Sequence, residues 1–157
     1  MKKYELTSET KIVFGHILYR IKALSSFGYV SAGDLGGFLE SEKNLSQNGN
    51  AWVSGNAWVS GNARVYGNAE VSGNAEVSEI GAIFWIGAVG SRNDTATFFR
   101  CRDGSIKVVC GCFFGNLDEF AKKVRKTHGD NDHAKVYMLA IDMAKIRIST
   151  EKEKTEE

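Results

Sequence analysis

Residues 49–78 read GNAWVS GNAWVS GNARVY GNAEVS GNAEVS: five hexads in one frame, each Gly-Asn-Ala-x-Val-x, with no slip. A six-residue period suits neither a helix nor an array of hairpins. Ala51, Ala57, Ala63, Ala69 and Ala75 stand two positions before Val53, Val59, Val65, Val71 and Val77. In extended backbone both members of each pair point to one face. Gly-Asn tolerates left-handed backbone angles, so it marks a corner. Three short strands and three corners make a triangular coil of eighteen residues. Successive coils stack by parallel pairing at roughly 4.8 Å. Outward from this run, Leu45 and Leu39 continue the Ala register while Gln47 and Ser41 break the Val register. That extends the pattern to about seven hexads, slightly over two coils. The open ends of so short a stack need caps.

The fold class predicted is mainly β: a short left-handed parallel β-helix of hexapeptide repeats, followed by a small β-hairpin plus two-helix α+β module. The boundaries are an N-terminal cap with a β-hairpin over 1–36, the left-handed β-helix over 37–80, the α+β module over 81–148 and a charged tail over 149–157.

The variable position before each Val holds Trp52, Trp58, Arg64, Glu70 and Glu76, and alternation turns it outward. The eighteen-residue step stacks Trp52 over Glu70 and Trp58 over Glu76. Two outward Trp side chains on adjacent faces predict an interface, because exposed apolar patches mark contacts. Self-association through Trp52, Trp58, Arg64 and Tyr66, with a trimer favoured, is preferred to a cap from the same chain and to a ligand platform.

The 157 residues carry 20 Lys+Arg and 19 Asp+Glu, a formal net charge of +1. Residues 1–78 hold 7 basic and 7 acidic side chains, and residues 79–157 hold 13 and 12. Neither half has the basic surplus of a general nucleic-acid binder, though charge balance leaves room for one local anion site. The start, Met1-Lys2-Lys3-Tyr4-Glu5, lacks the apolar run of a signal peptide. The longest apolar stretch, Ile80 to Val89, is about half a bilayer span. Three cysteines do not suggest a disulfide framework. These features predict a cytoplasmic protein without a membrane segment.

On the N-terminal side, Lys11 to Phe14, a turn at Gly15-His16 and Ile17 to Ala23 read as a hairpin, with His16 a solvated turn residue. Gly33 to Phe38 leads into the first coil. Beyond the repeat, Ile80 to Gly87 reads as a buried strand. Thr95 to Cys101 and Ile106 to Cys112 read as two strands joined through Asp103-Gly104, which suits a tight hairpin turn. Asn116 caps the next helix, with Glu119 completing a capping box. Leu117, Phe120, Ala121 and Val124 form its apolar face, and Gly129 stops it. A second helix runs from about Asp132 to Ile148, with Val136, Leu139, Ala140 and Met143 on its core side.

Three constellations bear on chemistry. Acyl transfer, common among hexapeptide β-helix enzymes, needs a His general base beside a cleft. None of the three histidines lies in the repeat, and no loop interrupts it. Cys110-Gly111-Cys112, with Cys101, His128 and His133, has metal-ligand residue types but lacks the two-residue spacer of a zinc knuckle. Core cysteines are preferred there, and neither metal nor cofactor is predicted. The third constellation is an anion or nucleotide pocket. The loop from Gly90 offers backbone amides, hydroxyls and the Arg92 guanidinium, which suits bidentate phosphate contact. Gly115-Asn116 opens a helix whose N-terminus favours anions. The predicted ligand set is Ser91, Arg92, Asn93, Asp94, Thr95, Arg100, Gly115 and Asn116.

Several segments together resemble a family of hexapeptide-repeat proteins of phages and prophages of Gram-positive bacteria. The lead is Gly33-Asp34-Leu35-Gly36-Gly37 with Ser41-Glu42-Lys43-Asn44-Leu45-Ser46, and the Gly-Asn-Ala-x-Val-x hexads come next. The terminal module carries Ile86-Gly87 through Ser91-Arg92-Asn93, Cys110-Gly111-Cys112-Phe113, Glu119-Phe120 and Thr127-His128-Gly129-Asp130-Asn131. The resemblance covers nearly the whole chain, and its specificity lies in the terminal module rather than in the hexads. It brings no activity with it, so no functional residue is carried over. It implies a phage context, in which small proteins without catalytic residues often bind host components. Some phage proteins form symmetric oligomers that sequester nucleotide signals of host immunity. The expected function is therefore that of a non-enzymatic, homo-oligomeric binding protein that antagonises a bacterial anti-phage defence. It would do so in the host cytosol by sequestering a nucleotide signal or binding a defence protein. A structural or adaptor role for the β-helix faces is the alternative, and a hexapeptide acyltransferase is the third reading.

Overall fold

A computed structural model describes residues 1–148; the charged tail expected at 149–157 lies outside the described residues. The chain divides into two compact units, Met1–Ile80 and a second that begins at Gly81.

The first unit starts with an antiparallel hairpin of β1 (Tyr4–Val13) and β2 (His16–Ala23). Val13 pairs with His16, so the turn is Phe14-Gly15, one residue earlier than the sequence suggested. Both turn residues have positive φ, 49° and 81°, as a two-residue hairpin turn with matching twist requires. β2 pairs antiparallel with β3 (Leu35–Leu39). β3 pairs in parallel with β5 (Trp58–Val59), which pairs in parallel with β7 (Glu76–Val77). The result is a five-stranded mixed sheet. Separately, β4 (Trp52–Val53) and β6 (Glu70–Val71) form a two-stranded parallel sheet, and Leu45 bridges Val65.

The hexads therefore do not form the expected closed, parallel left-handed β-helix. The described residues form a mixed α/β structure: eleven strands in a mixed sheet, an antiparallel sheet and a two-stranded parallel pair, and two helices. The physical reason is the shortness of the run. Five hexads cover residues 49–78, and the step between paired residues is eighteen, as in Trp52 with Glu70 and Trp58 with Glu76. Any one face then receives at most two hexads, and its open edge is a template for another strand. β3 takes one such edge and joins it to the antiparallel hairpin.

Inside the repeat the alternation holds. Val53, Val59, Val65, Val71 and Val77 and the five paired Ala residues are at most 1% exposed. The corner glycines stack closely: a Cβ on Gly49, whose φ is +74°, would lie 2.7 Å from the Gly67 carbonyl oxygen. The leading carbonyls of the three faces are satisfied by three different devices. The Lys3 ammonium donates to Gly49 O at 3.3 Å and Ala51 O at 2.7 Å. Backbone amides of Phe38 and Glu40 donate to Ala57 O and Val59 O. The buried Asn44 donates through Nδ2 to Gly61 O at 3.2 Å and Ala63 O at 2.8 Å. Burial pushes the Lys3 ammonium down to about 8, against the carbonyl bonds that favour its charged form.

The Trp pair corrects the interface predicted from the repeat. Trp52 and Trp58 are 7% and 8% exposed. Tyr4 and Phe27 pack edge-on against Trp52, with ring centroids 6.4 Å and 5.3 Å away. Leu18 and Phe38 bury Trp58, and the Lys11 ammonium sits 4.7 Å from its ring centroid. The outward face is covered by the N-terminal segment of the same chain, which removes the apolar patch on which self-association rested. Arg64 and Tyr66 remain exposed.

The second unit is an antiparallel meander of β8 (Ile83–Val89), β9 (Asp94–Arg100), β10 (Ile106–Cys110) and β11 (Phe113–Asn116), followed by α1 (Leu117–His128) and α2 (Asp132–Arg147). The segment read as one strand to Cys112 ends at Cys110. Gly111, with φ +57°, turns the chain into β11. Asn116 caps α1: its Oδ1 accepts from Glu119 N at 2.8 Å, and Glu119 Oε1 accepts from Asn116 N at 3.3 Å. Ala96, Phe98, Ile106 and Val108 pack with Phe120, Val124, Tyr137, Ala140 and Ile141 in one core.

The rotation of α2 is a second correction. Its buried side is Ala134, Tyr137, Ala140, Ile141 and Ala144. Val136, Leu139 and Met143, expected in the core, are exposed. The helix carries apolar residues on two sides, so its spacing alone does not select one. No helix of the described residues is long and apolar enough to cross a membrane.

Candidate ligand-binding site

The strand registers settle where the predicted ligand residues lie. Val89 pairs with Asp94, and Cys110 pairs with both Ala96 and Phe113. The turn after β8 and the turn after β10 therefore share one end of the sheet. Arg100 pairs with Ile106, and Lys107 pairs with Asn116, so Arg100, Gly115 and Asn116 occupy the opposite end. Six residue steps along β9 separate the two ends by roughly 20 Å. The predicted set is thus two sets. Ser91, Arg92, Asn93, Asp94 and Thr95 stay together, while Arg100, Gly115 and Asn116 do not join them.

The second group is also poor chemistry for an anion. Arg100 is buried. The Asn116 and Glu119 amides at the start of α1 are each engaged by the other's side chain, and Asp118 and Glu119 already place carboxylates there. Those groups use the positive end of the helix that an external anion would need.

The first group is built with more care. β8 is irregular between Ile86 and Val89. Ala88 has φ 54°, uncommon for a residue with a Cβ, and Gly90 and Asn93 have φ of 74° and 53°. Bulges of this kind bend a strand and re-aim the side chains beyond them. Ser91, Arg92 and Asn93 are exposed, and Asp94 and Thr95 are half-buried. Gly90 cannot be replaced easily, because a Cβ there would collide with the Tyr137 hydroxyl. A Cβ on Gly111 would meet Asp94 Oδ2 at 3.3 Å, so the two turns touch.

Tyr137 ties the turns to the helices. Its hydroxyl lies 3.9 Å from Cys110 Sγ. Burial raises its phenol above the ordinary range, and the neighbouring Cys110 and Asp94 add to that rise. The His128 ring stacks on Tyr137 at 5.8 Å and 24°, and His133 lies 5.3 Å from His128. One end of the second unit therefore carries an exposed loop with Arg92 together with His128 stacked on the Tyr137 phenol and His133 tilted against His128. Rings stack on nucleobases, and a guanidinium grips phosphate.

In the sequence His128 and His133 stand out as ligand types only for a metal, and Tyr137 does not stand out. The usable signal was spacing: His133 and Tyr137 are four apart on one helix face. The metal reading finds no geometry. Cys101 lies at the far end of β9 from Cys110. Among the described residues, no group of three or more His, Cys, Asp or Glu side chains is arranged to hold a metal ion. Cys101 is buried, Cys110 half-buried and Cys112 exposed.

A second concavity lies between α1 and α2, lined by Leu117, Ala121, Lys122, Arg125, Met138 and Asp142 among others. Its charges are of both signs, which gives it no selectivity for a phosphate. No protein-family model matches the chain, and no curated protein matches it.

Proposed function

We propose that this chain is a non-enzymatic binding protein of phage origin that antagonises a bacterial anti-phage defence. It acts in the host cytosol as a homo-oligomer that sequesters a nucleotide-type signal. The phage context rests on the sequence resemblance. The ligand class rests on one observation: Tyr137 closes on the Gly90 backbone. That contact puts the Arg92 loop and the stacked His128–Tyr137 rings, with His133 beside them, on one end of the second unit. The loop supplies cationic contact for phosphate, and the stack supplies flat surfaces for a base.

Native mass spectrometry of the purified protein tests this, before and after addition of cyclic dinucleotides, cyclic trinucleotides and ADP-ribose-type compounds. The expected result is stoichiometric uptake of one class. Arg92→Ala and His128→Ala should each weaken uptake about tenfold or more. Intact binding by both variants would remove this end of the unit from the site. A protein that ignores every nucleotide would overturn the nucleotide reading. A defence protein would then be the partner to seek by pull-down from host lysate.

A further inference from the structure

The Trp face is covered, but a different apolar surface stays open. On α2, Val136, Leu139, Met143 and Ile146 are 40%, 62%, 41% and 86% exposed. Their spacings of three, four and three residues are those of the first and fourth positions of a heptad, the seam of a two-helix coil. The opposite side of α2 is committed to its own unit through Ala134, Tyr137, Ala140, Ile141 and Ala144. The stripe is therefore additional to the core, not a misplaced part of it. Residues 149–157, which follow α2, read STEKEKTEE, without one large apolar side chain.

We propose that this stripe joins two copies of the chain through a parallel, two-fold α2–α2 seam. The charges beside the stripe choose the occupant and the direction. Lys135 and Asp142 flank one edge, and Arg147 flanks the other. In a parallel pair, Asp142 of one copy meets Arg147 of its partner five residues on, and the two-fold axis makes that pair twice. In an antiparallel pair, Asp142 approaches Asp142 of the other copy, a like-charge contact. Flanking charges of this kind set partner and orientation in two-helix seams. In the parallel pair Val136, Leu139, Met143 and Ile146 each face their own counterpart, a self-complementary patch of the kind a two-fold interface needs. Three helical turns bury less than a standard interface, so the dimer is concentration-dependent.

The surface stands apart from the ligand reading, and the two fail separately. Sedimentation equilibrium of the full chain across a wide concentration range should show monomer passing to a two-copy mass. Leu139→Glu with Ile146→Glu should raise the dissociation constant about tenfold or more while the far-ultraviolet circular dichroism is unchanged. Asp142→Arg should weaken the dimer about threefold or more, and adding Arg147→Asp should restore it. A chain that stays monomeric at every concentration overturns the seam, whatever its nucleotide uptake. So does a three-copy mass, a dimer indifferent to the Leu139 and Ile146 changes, or a charge swap that fails to restore pairing. If the Glu variant does not fold, the charge swap decides alone.

Discussion

The repeat and the helix-bearing sheet bury their apolar side chains under different rules. In the repeat, place within the hexad decides: all five Val and all five Ala of the frame point inward, and each is at most 1% exposed. Four of the five rungs pair with another eighteen residues away, and the Val65 rung is bridged to Leu45, which leaves a side chain no choice of face. In α2, apolar character does not decide. Ala140 and Ala144 are fully buried, while Leu139 and Ile146 are 62% and 86% exposed. A helix sets only the angle between neighbours; its rotation is settled by the surface packed against it. Strand pairing fixes direction locally, and helix packing fixes it globally.

The contrast can be broken most forcefully at the covered Trp pair. Trp52→Ala or Trp58→Ala should destabilise the first unit by about 3–5 kcal/mol in chemical denaturation, without changing the sedimentation mass at matched concentration. A stable variant that loses association would restore the exposed-face reading and remove the cap. Gly37→Ala comes next. Its Cβ would lie 2.5 Å from Ala57 O and 2.9 Å from Val53 Cγ1, so a cost of about 1–3 kcal/mol is expected. Gly67→Ala is the control: φ is +65° but nothing lies within 4 Å, so only backbone strain of about 1–2 kcal/mol applies. Equal costs at the two sites would mean that the crowding beside β3 relaxes freely.

In the second unit, Asn116→Ala removes a cap and should cost about 1 kcal/mol, read from thermal melts. The smallest effect is invisible at neutral pH. Burial raises the Cys101 thiol from 9.0 to about 11. Its folded pKa lies above its unfolded one, so its contribution is complete below pH 9 and is lost as pH rises through 11. Cys101→Ala should remove this part of the alkaline loss. In the native protein, Cys112 should be alkylated first and Cys101 last, measured by peptide mass spectrometry; rapid Cys101 labelling would mean that this end of the sheet opens.

Much of the local structure was legible. The frame of the repeat, the Asp103-Gly104 turn, the Asn116–Glu119 cap and the Gly129 stop are short-range devices, written within a few residues of where they act. The outward position of the hexad was also legible, but not its cover. Trp52 and Trp58 are buried by Tyr4, Leu18, Phe27 and Phe38, between 20 and 48 residues earlier in the chain. The candidate site was read in part. Ser91 to Thr95 sit together because they are contiguous. Arg100 is near them in sequence, but the length of β9 carries it to the far end, and β11 ends there with Asn116.

By itself, the sequence determined which residues are corners, which pairs share a face, where both helices begin and end, and that the net charge is +1. These come from backbone preference, hydrogen-bond caps and composition. Only the tertiary structure decided that the parallel rungs join an antiparallel hairpin in one mixed sheet, that the Trp face is covered, and that α2 turns Leu139 and Ile146 outward. It also decided that Tyr137 meets Gly90. Each of these is a choice among edges or faces of similar local merit, and only segments remote in sequence can settle it by burying one and leaving the other.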